Sequence, residues 1–68
     1  MRPGYYVVNN VAQANGDHEV HLQGCSYFPS SATPLGFHTT CQGAVKEAQR
    51  LFRKSVGCAY CAPECKYG

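Results

Sequence analysis

The sequence predicts a small α+β fold: a β-hairpin, extended by a candidate third strand, packed on one helix. Three observations carry this expectation. Two β-branched and aromatic segments flank the pair Asn15-Gly16, and an Asn-Gly pair between such segments is the strongest short-range hairpin signal. Apolar residues then recur at spacings of three and four from Cys41 to Phe52, the period of a helix with one buried stripe. Finally, two short segments bearing cysteine and histidine stand at the ends of these elements, where a turn can bring their side chains together.

Tyr5-Tyr6-Val7-Val8 reads as the first strand, stopping near Asn9 or continuing through Val11. Glu19-Val20-His21-Leu22 reads as the return strand. With a period of two, His18, Val20 and Leu22 share one face, and Glu19 and His21 the other. Gly24-Cys25 ends that strand. Ser26 to Pro34, with Pro29, Ser30 and Ser31, is loop-like, and Leu35-Gly36-Phe37-His38 is the candidate third strand. Thr39-Thr40-Cys41-Gln42 fits a capping box, a Thr followed three residues later by Gln. The helix it opens runs to about Lys54. Cys41, Ala44, Val45, Ala48, Leu51 and Phe52 form its stripe, and Arg53 and Lys54 suit the negative end of its dipole. Gly57 follows as a stop, and Pro63 can open one short turn.

At 68 residues one domain spanning 1–68 is expected. A chain of this size buries only about 60% of its unfolded surface, so a metal, disulfides or a partner is expected to reinforce it. A hydrophobic fraction of 44% is globular composition, and a net charge of +2 does not by itself point to a polyanion. Met1-Arg2-Pro3-Gly4 is not followed by the apolar run of a secretory signal, and no segment approaches the ~20 apolar residues of a membrane span. The expected location is the cytoplasm, with no membrane partner.

Five cysteines are an odd number for a disulfide framework. In a reducing compartment their pattern favours metal or redox chemistry. His21-x-x-x-Cys25 leaves the second strand at a turn, and Cys58-x-x-Cys61 leaves the helix at another. Each pair can give two ligands to one ion, and residues 26–57 between them hold the loop and the helix. Zinc takes four tetrahedral ligands, and one His with three Cys is a structural combination. Four protein ligands make a closed site, and thiolate ligation supplies folding energy that a small core lacks. The expected metal set is therefore His21, Cys25, Cys58 and Cys61, with Zn2+ as the ion. Cys65 is the main substitute, because Cys61-x-x-x-Cys65 is a second chelate that would give an all-thiolate site. His18, His38 and Cys41 are further substitutes. Their plainer readings are a half-buried hairpin-end residue, a capping or surface residue, and a small buried hydrophobe. Cys65 could also be a spare thiol or pair with Cys41.

Val20-His21-Leu22-Gln23-Gly24-Cys25 and Cys58-Ala59-Tyr60-Cys61-Ala62-Pro63 resemble the Ada-type metal-binding domain and its small bacterial relatives attached to nucleases. Those relatives show Tyr-His-x-x-x-Cys, a Glu- and Ala-rich segment, and Cys-x-x-Cys with a nearby proline. Val45-Lys46-Glu47-Ala48 would be the Glu-Ala helix, and the resemblance covers roughly residues 19–63. It implies a hairpin and a helix around one zinc. In Ada the first ligand is a cysteine that accepts a methyl group from DNA. His21 stands there in this chain, and an imidazole cannot play that part, so methyl-transfer repair is not expected. The segment from helix to Cys58 also looks longer than in the family.

Three functions compete. The first is a non-catalytic zinc module acting as an interaction domain for nucleic acid or protein. For nucleic acid, Lys46, Arg50, Arg53, Lys54, Tyr60, Lys66 and Tyr67 would supply the basic-aromatic surface. The second is a thiol–disulfide protein using Cys58 and Cys61, with Cys65 resolving. The third is a disulfide-stapled protein with at most two bridges. No Gly-rich phosphate loop, nucleophile elbow or carboxylate pair beyond Asp17 and Glu19 is present, so catalysis and a small-molecule substrate are not indicated.

Overall fold

The computed structural model describes residues 2–25 and 29–66. In chain order it holds β1 (Gly4–Asn9), β2 (His18–Leu22), β3 (Ala32–His38), α1 (Cys41–Leu51), β4 (Ser55–Gly57) and a 3-10 turn (Pro63–Cys65). The sheet order is β3-β1-β2-β4. β1 is antiparallel to both β2 and β3, whereas β2 and β4 are parallel. The fold is α+β, a mixed four-stranded sheet packed on one helix.

Alternation along the strands decides what faces that helix. Tyr6 pairs with Leu22, Val7 with His21, and Val8 with Val20. Tyr6, Val8 and Val20 pack in the core with Leu35, Cys41, Ala44, Val45 and Ala48. The alanines give α1 a flat face that lets it approach the sheet closely. Leu22 and Phe52 close the margins of this core. Tyr6 also donates its hydroxyl proton to the carbonyl oxygen of Arg2, which satisfies the polar tip of a buried ring. The odd residues His21, Tyr5 and Val7 point to the other face. There Tyr5 meets Phe37 edge to face at 5.6 Å, both rings more than half exposed.

Several details differ from the sequence expectation. The β1–β2 connection is not a two-residue hairpin. Asn9 stops β1 by accepting the Val11 N–H through Oδ1 at 3.0 Å. The tight turn closes inside the loop, where Gly16, at φ 91°, donates to the Gln13 carbonyl. β3 starts at Ala32 and takes in Pro34, which an edge strand tolerates because its outer side needs no donor. A bulge in the β1–β3 pairing falls between Tyr6 and Val7.

The capping box does not form. Thr40 is the N-cap, with no side-chain cap bond. The third helical residue is then Gly43, which has no side chain to reciprocate. His38 sits over this turn instead, and its Nε2 lies 2.8 Å from the Leu35 carbonyl oxygen.

The helix stops at Leu51 because Phe52 turns extended, although its N–H still reaches the Ala48 carbonyl. Residues 52–54, expected in the helix, are irregular chain, so Arg53 and Lys54 lie beyond its last turn, and Ser55–Gly57 then pairs with β2 as β4.

Candidate metal centre

His21 and Cys25 are positioned by the end of β2. The Cys25 N–H donates to the Leu22 carbonyl at 3.0 Å and closes a turn. The third residue of that turn is Gly24, at φ 98°, a conformation other residues adopt only with strain. Cys58 and Cys61 arrive by another route. The Cys58 N–H donates to the Val20 carbonyl at 2.9 Å, so the chain leaving β4 stays hydrogen-bonded beside β2. It then turns, with the Ala62 N–H bonded to the Cys58 carbonyl at 2.9 Å. The unpredicted strand β4 is thus what delivers the second chelate to the first.

The four ligand atoms of His21, Cys25, Cys58 and Cys61 all lie within 4.8 Å of one another. Cys25 Sγ and Cys58 Sγ are 4.0 Å apart, and Cys61 Sγ is 3.8 Å from His21 Nδ1. A zinc tetrahedron with ordinary bond lengths has S–S edges of about 3.8 Å and S–N edges of about 3.6 Å. These two edges are therefore within a few tenths of an ångström of the geometry a four-coordinate ion needs. His21, Cys58 and Cys61 are buried and Cys25 is half-buried. All three cysteines carry thiols rather than disulfides.

The electrostatics suit a cation. Burial pushes the His21 pKa down, opposed by the Glu19 carboxylate, so the ring favours its neutral form. Its Nε2 lies 3.5 Å from Glu19 Oε1. The tautomer with its proton on Nε2 leaves the Nδ1 lone pair facing the sulfurs. A carboxylate behind a ligating imidazole fixes ring and tautomer and raises ligand basicity. Burial pushes the Cys61 thiol up to about 12, which an ion must reverse, since the thiolate is the ligand. Two backbone donors help. The Leu22 N–H points to Cys61 Sγ at 3.3 Å and the Tyr60 N–H to Cys58 Sγ at 3.4 Å. Such bonds favour the charged form of sulfur.

The predicted set is thus brought together complete. The substitutes lie elsewhere. Cys65 is joined to Cys41, their sulfurs 2.02 Å apart. His18 Nδ1 lies 2.9 Å from the Asn9 carbonyl oxygen, and its ring stacks on Phe52 at 4.0 Å. Sequence reasoning put Glu19 on the face of His21 without giving it a role. Strand alternation was the signal that could have found it. The sulfur-directed N–H groups carry no side-chain signature. Of the expected basic-aromatic surface, Tyr67 lies outside the described residues. Among those described, no helix is long and apolar enough to cross a membrane.

Compared with family models, curated proteins and solved structures, the chain matches none.

Proposed function

We propose that this chain is a non-catalytic structural zinc module whose metal holds a small sheet-and-helix surface for binding another macromolecule. The observation that supports it is the closed cluster of His21, Cys25, Cys58 and Cys61. Three thiolates and one imidazole suit zinc in preference to the hard cations, which take oxygen. Four protein ligands leave no position for substrate. In the terms of the Ada-type resemblance, His21 replaces the methyl-accepting cysteine, so the arrangement keeps the metal and loses the transfer chemistry.

Nucleic acid is the partner class to test first. Lys46, Arg50, Arg53 and Lys54 are exposed. The exposed pair Tyr5 and Phe37 stands on the sheet face turned away from α1, so these rings do not combine with the helix cations into one stacking groove. Binding would then be backbone-directed and salt-sensitive. Anisotropy of a labelled oligonucleotide at two salt concentrations reads this out, and no binding at low salt would redirect the search to protein partners.

Native mass spectrometry of protein purified without chelator tests the metal. One zinc per chain, lost on acid denaturation, is expected. Cys58→Ser or Cys61→Ser should abolish binding and unfold the domain. A variant that keeps native spectra without zinc would refute the structural role.

A further inference from the structure

The metal cluster leaves two cysteines unused, and they form a second chemistry. The Cys41–Cys65 disulfide joins the first residue of α1 to the last residue of the 3-10 turn. Both residues are buried. Cys65 nevertheless walls a groove of about 440 Å³, whose other walls are Gln42, Gly43, Val45, Lys46 and Gln49. A groove of this volume accommodates a small molecule.

Three features suit attack on this disulfide. Of the two cysteines Cys65 lines the groove and Cys41 does not, so an entering thiol approaches from the Cys65 side. Lys46 places a cation in the groove, where it favours an anionic attacker. Cys41, the group that would leave, stands in the first turn of an eleven-residue helix. The helix dipole stabilises a thiolate there, and a better-stabilised leaving thiolate departs faster.

The disulfide also bears on the metal centre. Cys65 follows Cys61 by four residues. The backbone between Cys58 and Cys65 is tied by the bonds from Ala62 to Cys58 and from Cys65 to Ala62. Cys65 itself is wedged against β4, where a Cβ at Gly57 would fall 2.8 Å from Cys65 Cβ. The segment carrying two of the four ligands is thus held at one end by the sheet and at the other by the disulfide.

We propose that Cys41–Cys65 is a thiol–disulfide exchange site for a small anionic thiol, and that its state governs how firmly the cluster retains its metal. The second half rests on the zinc reading above. A thiolate entering the groove attacks Cys65 Sγ, forms a mixed disulfide there and releases the Cys41 thiolate. A second thiolate attacks the sulfur of the bound thiol and releases Cys65. Two electrons pass from the two small thiols, which leave as their own disulfide. Both cysteine sulfurs end as thiols, the two protons coming from the two small thiols by way of solvent. Oxidised small thiol runs the sequence backwards. Freed from α1, the tail samples more conformations, and Cys58 and Cys61 release zinc faster.

The test uses the zinc-loaded full chain in glutathione buffers of graded ratio, with a chromophoric chelator present. Native alkylation and peptide mapping follow each cysteine. Cys41 and Cys65 should become labelled together without denaturant while Cys58 and Cys61 stay shielded. Zinc transfer to the chelator should quicken about tenfold in the reduced form. The double variant Cys41→Ser/Cys65→Ser should show the fast rate at every ratio. Independently of its folding, Lys46→Glu should slow reduction by glutathione about fivefold but not reduction by neutral mercaptoethanol. Reduction that requires denaturant, or Lys46→Glu without effect, overturns the exchange site. Equal zinc release from both forms overturns the coupling. A chain that binds no zinc refutes the metal reading and the coupling with it, while native, charge-dependent labelling of Cys41 and Cys65 would still support the exchange site.

Discussion

Glu19 and His21 stand two residues apart on β2, so strand geometry alone puts carboxylate and imidazole on one face. The 3.5 Å contact between them orients the ring whose other nitrogen faces Cys61. Glu19→Gln keeps the shape and removes the charge. It should leave the protein folded and weaken zinc binding by about 10–100-fold, read by competition with a chelator of known affinity. An unchanged affinity would mean that Glu19 does not act through His21. The histidines show what was legible at this scale. His21 was readable because Cys25 follows at chelate spacing, whereas the partners of His18 and His38 are backbone carbonyls that no motif announces.

At the scale of elements, β4 decides whether the two chelates meet. It has three residues, lies at the sheet edge, and pairs in parallel with β2. Gly57 ends it with no room to spare. A Cβ there would fall 2.5 Å from the Ala62 carbonyl oxygen and 3.0 Å from the Cys65 carbonyl carbon, both backbone atoms. Gly57→Ala should therefore destabilise by about 2 kcal/mol or more, because the tail must move. Thermal melting of the zinc-loaded protein measures this, and a melting temperature unchanged from the parent would contradict the packing. The helix was legible from its stripe, of which Cys41, Ala44, Val45 and Ala48 are buried as expected, whereas Leu51 is exposed and Phe52 lies beyond the helix. Its end was not, because Ser55–Gly57 is recruited by β2 and not by its neighbours in sequence.

For the whole molecule the concern is size. The core is built largely of alanine, valine and cysteine, so on the function proposed above a bound metal, together with the Cys41–Cys65 disulfide, would carry much of the stability. Acid should reveal this. The folded His21 pKa is lowered by burial. Above about pH 6.5 the ring is neutral in both states, and its burial carries no penalty. As pH falls below that value the unfolded chain takes up the proton first, so stability is lost toward acid. Protons competing for thiolate ligands act in the same direction. The urea midpoint of the zinc-loaded protein should hold level near pH 7–8 and fall steadily below about 6.5. A midpoint flat down to pH 5 would mean that His21 is neither buried nor bound.

By itself the sequence determined the α+β class, most of the helix stripe, the strand faces and the short cysteine and histidine chelates. These rest on periodicity and on short chelates, which are properties of neighbouring residues. The tertiary structure alone decided the parallel strand β4, the end of α1, the place of Glu19 behind His21, and the joining of Cys65 to Cys41 and not to the metal set. Each depends on which distant segments come to lie side by side. Local spacing cannot encode that choice, because Cys61-x-x-x-Cys65 is as good a chelate in sequence as His21-x-x-x-Cys25. Only the packing of the tail between Gly57 and α1 turns Cys65 away from the cluster.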